Sequence, residues 1–326
     1  SENLKLEWDA LSHWIYKTKN FYYGYGINNL DKVSFAEYPH LGTFIWAFFW
    51  KNSILKLEYF GRLFFCFFYL ISIFNIVNNI LIKNNYYIKI LATTFIVFIS
   101  YDIFLFSGYQ GYLIFSILTL FSNFYLFLLN KENTKNYNFI FLIFLIIGLQ
   151  SVIWFKDEGI FYFLIISSCS ILFVKISVLK KLFLIFFSFS FPLIQFFLQK
   201  NIIGFYGFQA DIIHSSLNEL LNIKILFFKL MLITKYILIS FVKYKLWIIN
   251  LFSLFLIFFL DRKLFLNLMP WTTILIFNFA LLYAIYLHTP YDLEFLLKVT
   301  LDRLLFQTSG FYLVFPLFLI KKVFSQ

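Results

Sequence analysis

The stretch FGRLFFCFFYLISIFNIVNNILI, residues 60–82, decides the fold. It holds one charge, Arg62, and its apolar residues run continuously. At 1.5 Å per helical residue such a run covers the ~30 Å hydrocarbon layer of a bilayer, whereas a barrel strand would alternate. Working outward, runs of the same character recur at roughly 87–106, 110–129, 138–154, 159–175, 182–198, 246–260, 266–287 and 309–320. Hydrophobic residues make up 62% of the 326 and charged residues 13%, well below the roughly 25% charged of a soluble domain. Mean hydropathy is +0.83. The sequence therefore predicts an all-α polytopic membrane protein with about nine transmembrane helices, and one more helix is expected before Ser1. The 51 Phe, and 24 Lys against 3 Arg, read as an AT-rich coding bias rather than as function. Cys66 and Cys169 fall inside apolar runs, so they read as buried thiols rather than a disulfide framework or metal cluster.

Basic loops mark the cytoplasmic side of such a chain. Lys83/Lys89, Lys131/Lys135, Lys175/Lys180/Lys181, Arg262/Lys263 and Lys321/Lys322 alternate with the nine runs only if residues 1–58 lie outside. The chain thus divides into an outer-face loop of juxtamembrane helices, 1–58, and a transmembrane domain, 59–326. Residues 223–242 are apolar enough to span. Lys224, Lys229, Lys235 and Lys243, with Asn218 and Asn222, nevertheless share one arc of a helical wheel. That favours an outer interfacial helix over about 217–243. On this topology all but Glu132 and Asp261 of the 16 acids, and all 4 His (13, 40, 214, 288), face outward. An active site would open there.

The loop's first segment carries Leu4, Trp8, Leu11, Ile15 and Tyr22 at close to helical spacing, with Asp9, His13, Lys17 and Asn20 on the opposite stripe. Asp9 and His13 are i, i+4 neighbours on such a helix. This predicts an amphipathic helix on the membrane surface with Asp9 aimed above the bilayer; a merely solvated acid fits the same spacing. Glu37 and His40 flank the Tyr38-Pro39 turn. Lys156-Asp157-Glu158-Gly159 lies between two runs, where paired acids beside a lysine are costly unless wet or paired. Gly108-Tyr109-Gln110-Gly111 is another outer turn, and Asp102 precedes it inside an apolar run. Arg62 and Arg303 stand at the outer boundary, where a planar guanidinium can bind phosphate or simply snorkel. No nucleotide-binding loop, zinc motif or nucleophile elbow is present, and nothing suggests nucleic acid.

Taken in order, Trp8-Asp9-Ala10-Leu11-Ser12-His13-Trp14-Ile15-Tyr16-Lys17-Thr18-Lys19, Tyr38-Pro39-His40-Leu41, Lys156-Asp157-Glu158-Gly159 and Thr300-Leu301-Asp302-Arg303-Leu304-Leu305 resemble bacterial integral-membrane glycosyltransferases of the GT-C superfamily. That group includes protein O-mannosyltransferases, the aminoarabinose transferase of lipid A and lipopolysaccharide-core transferases. The resemblance covers nearly the whole chain, sparsely, and its first segment is the most specific. It implies a polyprenyl-phosphate sugar donor, a glycan, lipid or protein acceptor, and a site on the periplasmic side of the bacterial inner membrane. It also implies a catalytic acid in the first outer loop, matched by Asp9. The family's frequent His-Pro-Asp-Tyr-Pro stands here as Phe35-Ala36-Glu37-Tyr38-Pro39, so either Glu37 or Asp102 replaces the second acid or that acid is absent.

On this expectation Asp9, assisted by His13, serves as base. Glu158 and Asp157 position hydroxyls or a divalent cation. Lys156, Arg62 and Arg303 neutralise phosphate, and Glu37 and His40 bind substrate. A flippase or other transporter is the alternative, motivated by Asn75, Asn78, Gln195 and Asn278 inside spans. A structural subunit is a third reading, and it predicts no effect from neutralising Asp9.

Overall fold

The computed structural model describes residues 5–33, 38–100, 103–130, 135–199, 222–289 and 292–324. The described residues are helical and carry no strand. After a π-helical turn over Ala10–Trp14 come α1 (Ile15–Tyr22), α2 (Leu41–Lys51), α3 (Glu58–Ile80), α4 (Tyr86–Ser100), α5 (Gly111–Asn130), α6 (Lys135–Leu149), α7 (Gly159–Phe173) and α8 (Val178–Phe197). They are followed by α9 (Ile223–Lys243), α10 (Lys245–Leu260), α11 (Arg262–Asn267), α12 (Met269–Leu287), α13 (Leu293–Ser309) and α14 (Val314–Phe324). Among the described residues 7 helices are long and apolar enough to cross a membrane, and Tyr86–Ser100, Gly159–Phe173 and Lys245–Leu260 are shorter apolar helices. The chain is an all-α, multi-pass membrane protein.

Side-chain bonds fix how the helices lie. Helices α13 and α14 join through a 3-10 turn, Gly310–Leu313, into one rod over Leu293–Phe324. The end of α9 lies beside its first half, and α10 runs alongside the rest. Tyr236 donates to Glu294 at 2.6 Å, Ser240 to Asp302 at 2.6 Å, Trp247 Nε1 to the Leu305 carbonyl at 2.9 Å and Asn250 to the Ser309 carbonyl at 3.0 Å. At the far end Lys322 meets Asp261 at 2.8 Å. Helix α12 runs the other way: Trp271 donates to Ser122 of α5 at 2.7 Å, and Tyr286 pairs with Thr300 at 2.8 Å. Helix α5 threads the centre, with Tyr112, Phe115 and Tyr125 fully buried.

Arg303 and Lys322 thus mark two ends of the bundle, about 30 Å apart by helical rise. That matches the hydrocarbon thickness. Glu58, Arg62, Lys156, Glu158 and Asp302 also belong to the Arg303 end, and Asp261 to the Lys322 end.

Three expectations shift. Of the run expected at 87–106, α4 covers the part up to Ser100 and Ile103–Phe106 form a 3-10 turn, with residues 101–102 outside the described residues. The run at 309–320 is the second half of the longer rod. The third shift concerns the first amphipathic segment, whose polar stripe faces inward. His13, Lys17 and Asn20 are buried, while Trp8 is 68% and Leu11 50% exposed. Helix α2 and the Tyr38 turn cover the stripe and supply its partners. Lys17, wholly buried, donates to the Tyr38 carbonyl at 2.8 Å and lies over the Trp14 and Tyr38 rings. A buried ammonium is tolerable only with such partners.

Candidate functional site

The turn before α5 centres the Arg303 end. Gly108 sits at φ +82°, and a Cβ there would come within 2.6 Å of the Trp46 indole. Only glycine meets both demands. Arg62 braces this turn. Its Nε and Nη2 donate to both carboxylate oxygens of Glu58 at 2.8 and 2.7 Å, its Nη1 donates to the Phe106 carbonyl, and its guanidinium lies over Trp46. The phosphate-binding role expected of Arg62 therefore gives way to a structural one, because its fork is taken up by these partners.

Turned inward by Gly108, Tyr109 is the hub. Its hydroxyl accepts from Gln307 Nε2 at 3.1 Å and donates to the Arg303 carbonyl at 3.4 Å. The Lys156 ammonium stands 5.0 Å over its ring and is itself buried. Burial holds the Tyr109 phenol above its ordinary pKa; Arg303 and the Gln307 hydrogen bond oppose this, and the charges of Glu158 and Asp9 reinforce it. Arg303, Glu158 and Asp9 thus each exert their charge on this one hydroxyl. Arg303 reaches across from α13 to pair through Nη1 with Asp9 Oδ2, both side chains part-buried. Glu158 also acts on the hydroxyls of Tyr162 and Tyr286.

Asp9, Lys156, Glu158 and Arg303, expected as site residues from the sequence, thus gather around Tyr109 from three distant parts of the chain. Asp157 is half-buried in the turn that opens α7. His13 is buried beside Trp8 and Tyr38, with ring centroids 5.2 and 5.6 Å away. His40 lies one layer out, its ring near Phe21 and Trp154. Burial, and then the neighbouring Lys17, push its pKa down to about 4, so the ring is neutral at pH 7. Glu37 and Asp102 lie outside the described residues.

Tyr109 and Gln307 were missed by sequence reading. The one available signal was a Tyr-Gln pair between two glycines. Gln110 is fully buried with neither amide atom bonded, and Gln307 Oε1 is likewise buried and unbonded. Such groups cost roughly 1–3 kcal/mol each. Among the described residues no three His, Cys, Asp or Glu side chains gather to hold a metal ion. Compared with protein-family models, curated proteins and solved structures, the chain matches none.

Proposed function

We propose that the chain is a membrane glycosyltransferase that moves a sugar from a polyprenyl-phosphate carrier to an acceptor hydroxyl at the outer face of the bacterial inner membrane. The observation that carries this reading is the convergence of two carboxylates and two cations, Asp9, Glu158, Arg303 and Lys156, around the buried Tyr109. The reaction asks for a base at the acceptor and positive charge at the leaving phosphate.

Asp9 takes the proton of the acceptor hydroxyl as that oxygen bonds to the anomeric carbon. The bond from that carbon to the phosphate oxygen breaks, and its electron pair leaves on the lipid phosphate. Arg303 and Lys156 neutralise that phosphate. Because Arg303 holds Asp9 in the free protein, the arriving phosphate competes for the guanidinium and releases the carboxylate. Glu158 orients sugar hydroxyls, with Asp157 beside it and the Gln110 and Gln307 amides offering further hydrogen bonds.

The outer placement rests on the charge alternation of the loops. It also makes α9 an interfacial helix rather than a span. In support, α9 lies alongside the part of α13 that bears Glu294 and Asp302, not the apolar part. A carrier would need polar groups free at mid-bundle. Here Asn278 donates to Tyr312 and Asn250 to the Ser309 carbonyl, while the Oδ1 of each is buried without a partner, so a carrier stays the second reading.

The test is release of free polyprenyl phosphate from a labelled lipid-linked sugar by the purified protein. Asp9→Asn should lower release by about 100-fold or more, the usual scale for a general base, with the protein still extracted folded from the membrane. Full release by this variant, or an intact donor with the native protein, would overturn the reading.

A further inference from the structure

At the Lys322 end, two cavities adjoin between α3, α5 and α6. One, of about 360 Å³, is almost wholly apolar, walled by Phe68, Phe121, Phe144 and Gly148. The other, of about 310 Å³, is lined by Asn75, Asn78, Asn79 and Asn123. Phe124 and Phe141 line both, so the two are contiguous. Each falls at the low end of the roughly 300–1,000 Å³ typical of small-molecule sites.

Asparagines at 75, 78 and 79 share one helix face. Three amides on the lipid-facing side of a membrane helix are costly unless something polar meets them. Asn79 donates to Asn123 at 2.8 Å, which accounts for one. Asn78 accepts from Lys89 at 3.0 Å, and Lys89 also donates to the Ile82 carbonyl at 3.3 Å. An ammonium carries three N–H groups, so these two acceptors do not exhaust it. Among the described residues the lining includes no carboxylate. Its chemistry is therefore an apolar trough leading to a basic, amide-rich head.

We infer that this pocket is a binding site for one membrane phospholipid, its chain in the phenylalanine-lined trough and its phosphate on Lys89 and the asparagines. The site lies about 25 Å by helical rise from the Arg62 level. It does not depend on the transferase reading.

The probe is phosphatidylglycerol titrated onto the delipidated protein in detergent, with binding read by native mass spectrometry and diacylglycerol of the same chains as the headless control. The native protein should retain one phosphatidylglycerol and bind diacylglycerol weakly. Lys89→Gln should weaken binding about fivefold, the scale of one basic residue at an anionic headgroup. Gly148→Phe should block the trough. A Cβ at Gly148 meets nothing within 4 Å, so this variant has room to fold, and its melting temperature checks that it does. Wild-type affinity in both variants, or diacylglycerol bound as tightly as phosphatidylglycerol, would overturn the inference.

Discussion

His40 shows how burial at the edge of the site sets a pH limit on the molecule. In the folded chain it protonates only near pH 4, because burial first, and Lys17 second, disfavour the cation. In the unfolded chain it protonates near 6.5. Between these values the unfolded state binds the extra proton, so lowering the pH favours unfolding. The stability His40 contributes is complete above about pH 6.5 and lost as pH falls toward 4, a change of about 3 kcal/mol. Melting temperature in detergent should therefore fall across that window. His40→Phe should flatten the fall, and an equally steep fall in that variant would refute the assignment. At this scale the sequence was legible where a residue type is rare in its setting. Arg303 is one of 3 arginines, Lys156 and Glu158 interrupt apolar surroundings, and Asp9 stood out by its i, i+4 spacing to His13. Tyr109 was not legible, since it is one of 22 tyrosines in a chain that is 25% aromatic. Its importance comes from a φ of +82° one residue earlier, which no residue count reveals. Arg62 misled for a related reason: Glu58, one helical turn before it, was visible, but the Phe106 carbonyl that completes its fork was not.

At the scale of the element, period was legible and direction was not. The polar and apolar stripes of the first segment exist as spacing requires. Which side the protein covers was not legible: the polar stripe is packed, and of the apolar stripe Ile15 is buried while Trp8 and Leu11 are exposed, because the sequence does not say that the Tyr38 turn and α2 fold over the polar stripe. A tertiary partner outweighs the rule that apolar faces turn inward when it satisfies the buried polar atoms. The consequence is measurable. Lys17→Ala removes a wholly buried side chain and orphans the Tyr38 carbonyl, which should cost roughly 1–3 kcal/mol. Trp8→Ala, at a residue 68% exposed, should leave the melting temperature of the detergent-solubilised protein within error. The reverse ranking would mean that the tryptophan face, not the lysine face, is packed. The same logic governs α3, where Gly61 lets the Trp46 carbonyl and indole approach within 2.4 Å of where a Cβ would stand. The apolar run predicted that α3 is a helix, but not that a second helix presses on its first turns.

For the whole molecule, the open question of topology turns on α9. By length and apolar composition it can span, and counted that way it moves Arg262 and Lys263 to the other side of the membrane. Its neighbours argue otherwise. Residues 236–243 of α9 lie beside residues 294–302 of α13, while α10 lies beside the rod from Leu305 onward. The rod's 32 residues are too long for one crossing, since roughly 20 suffice. Its apolar half is the one α10 accompanies, which supports the proposal that α10 crosses with it while α9 stays with the charged half. Cysteines placed at the two ends of α9, Ile223→Cys and Val242→Cys, decide the matter. Both positions are exposed, and the native Cys66 and Cys169 are buried. A membrane-impermeant maleimide added to intact cells should label both if α9 lies along the outer surface, and only one if it crosses. Labelling of one end alone would add a span, reverse the side of every later loop and carry the Lys322 end outward. The basic loops of that half would then gather on the outer side, against the usual retention of Lys and Arg in the cytoplasm. A spanning α9 would also put Arg303 on the opposite side of the membrane from Asp9, with which it pairs, so labelling of both ends is the outcome expected.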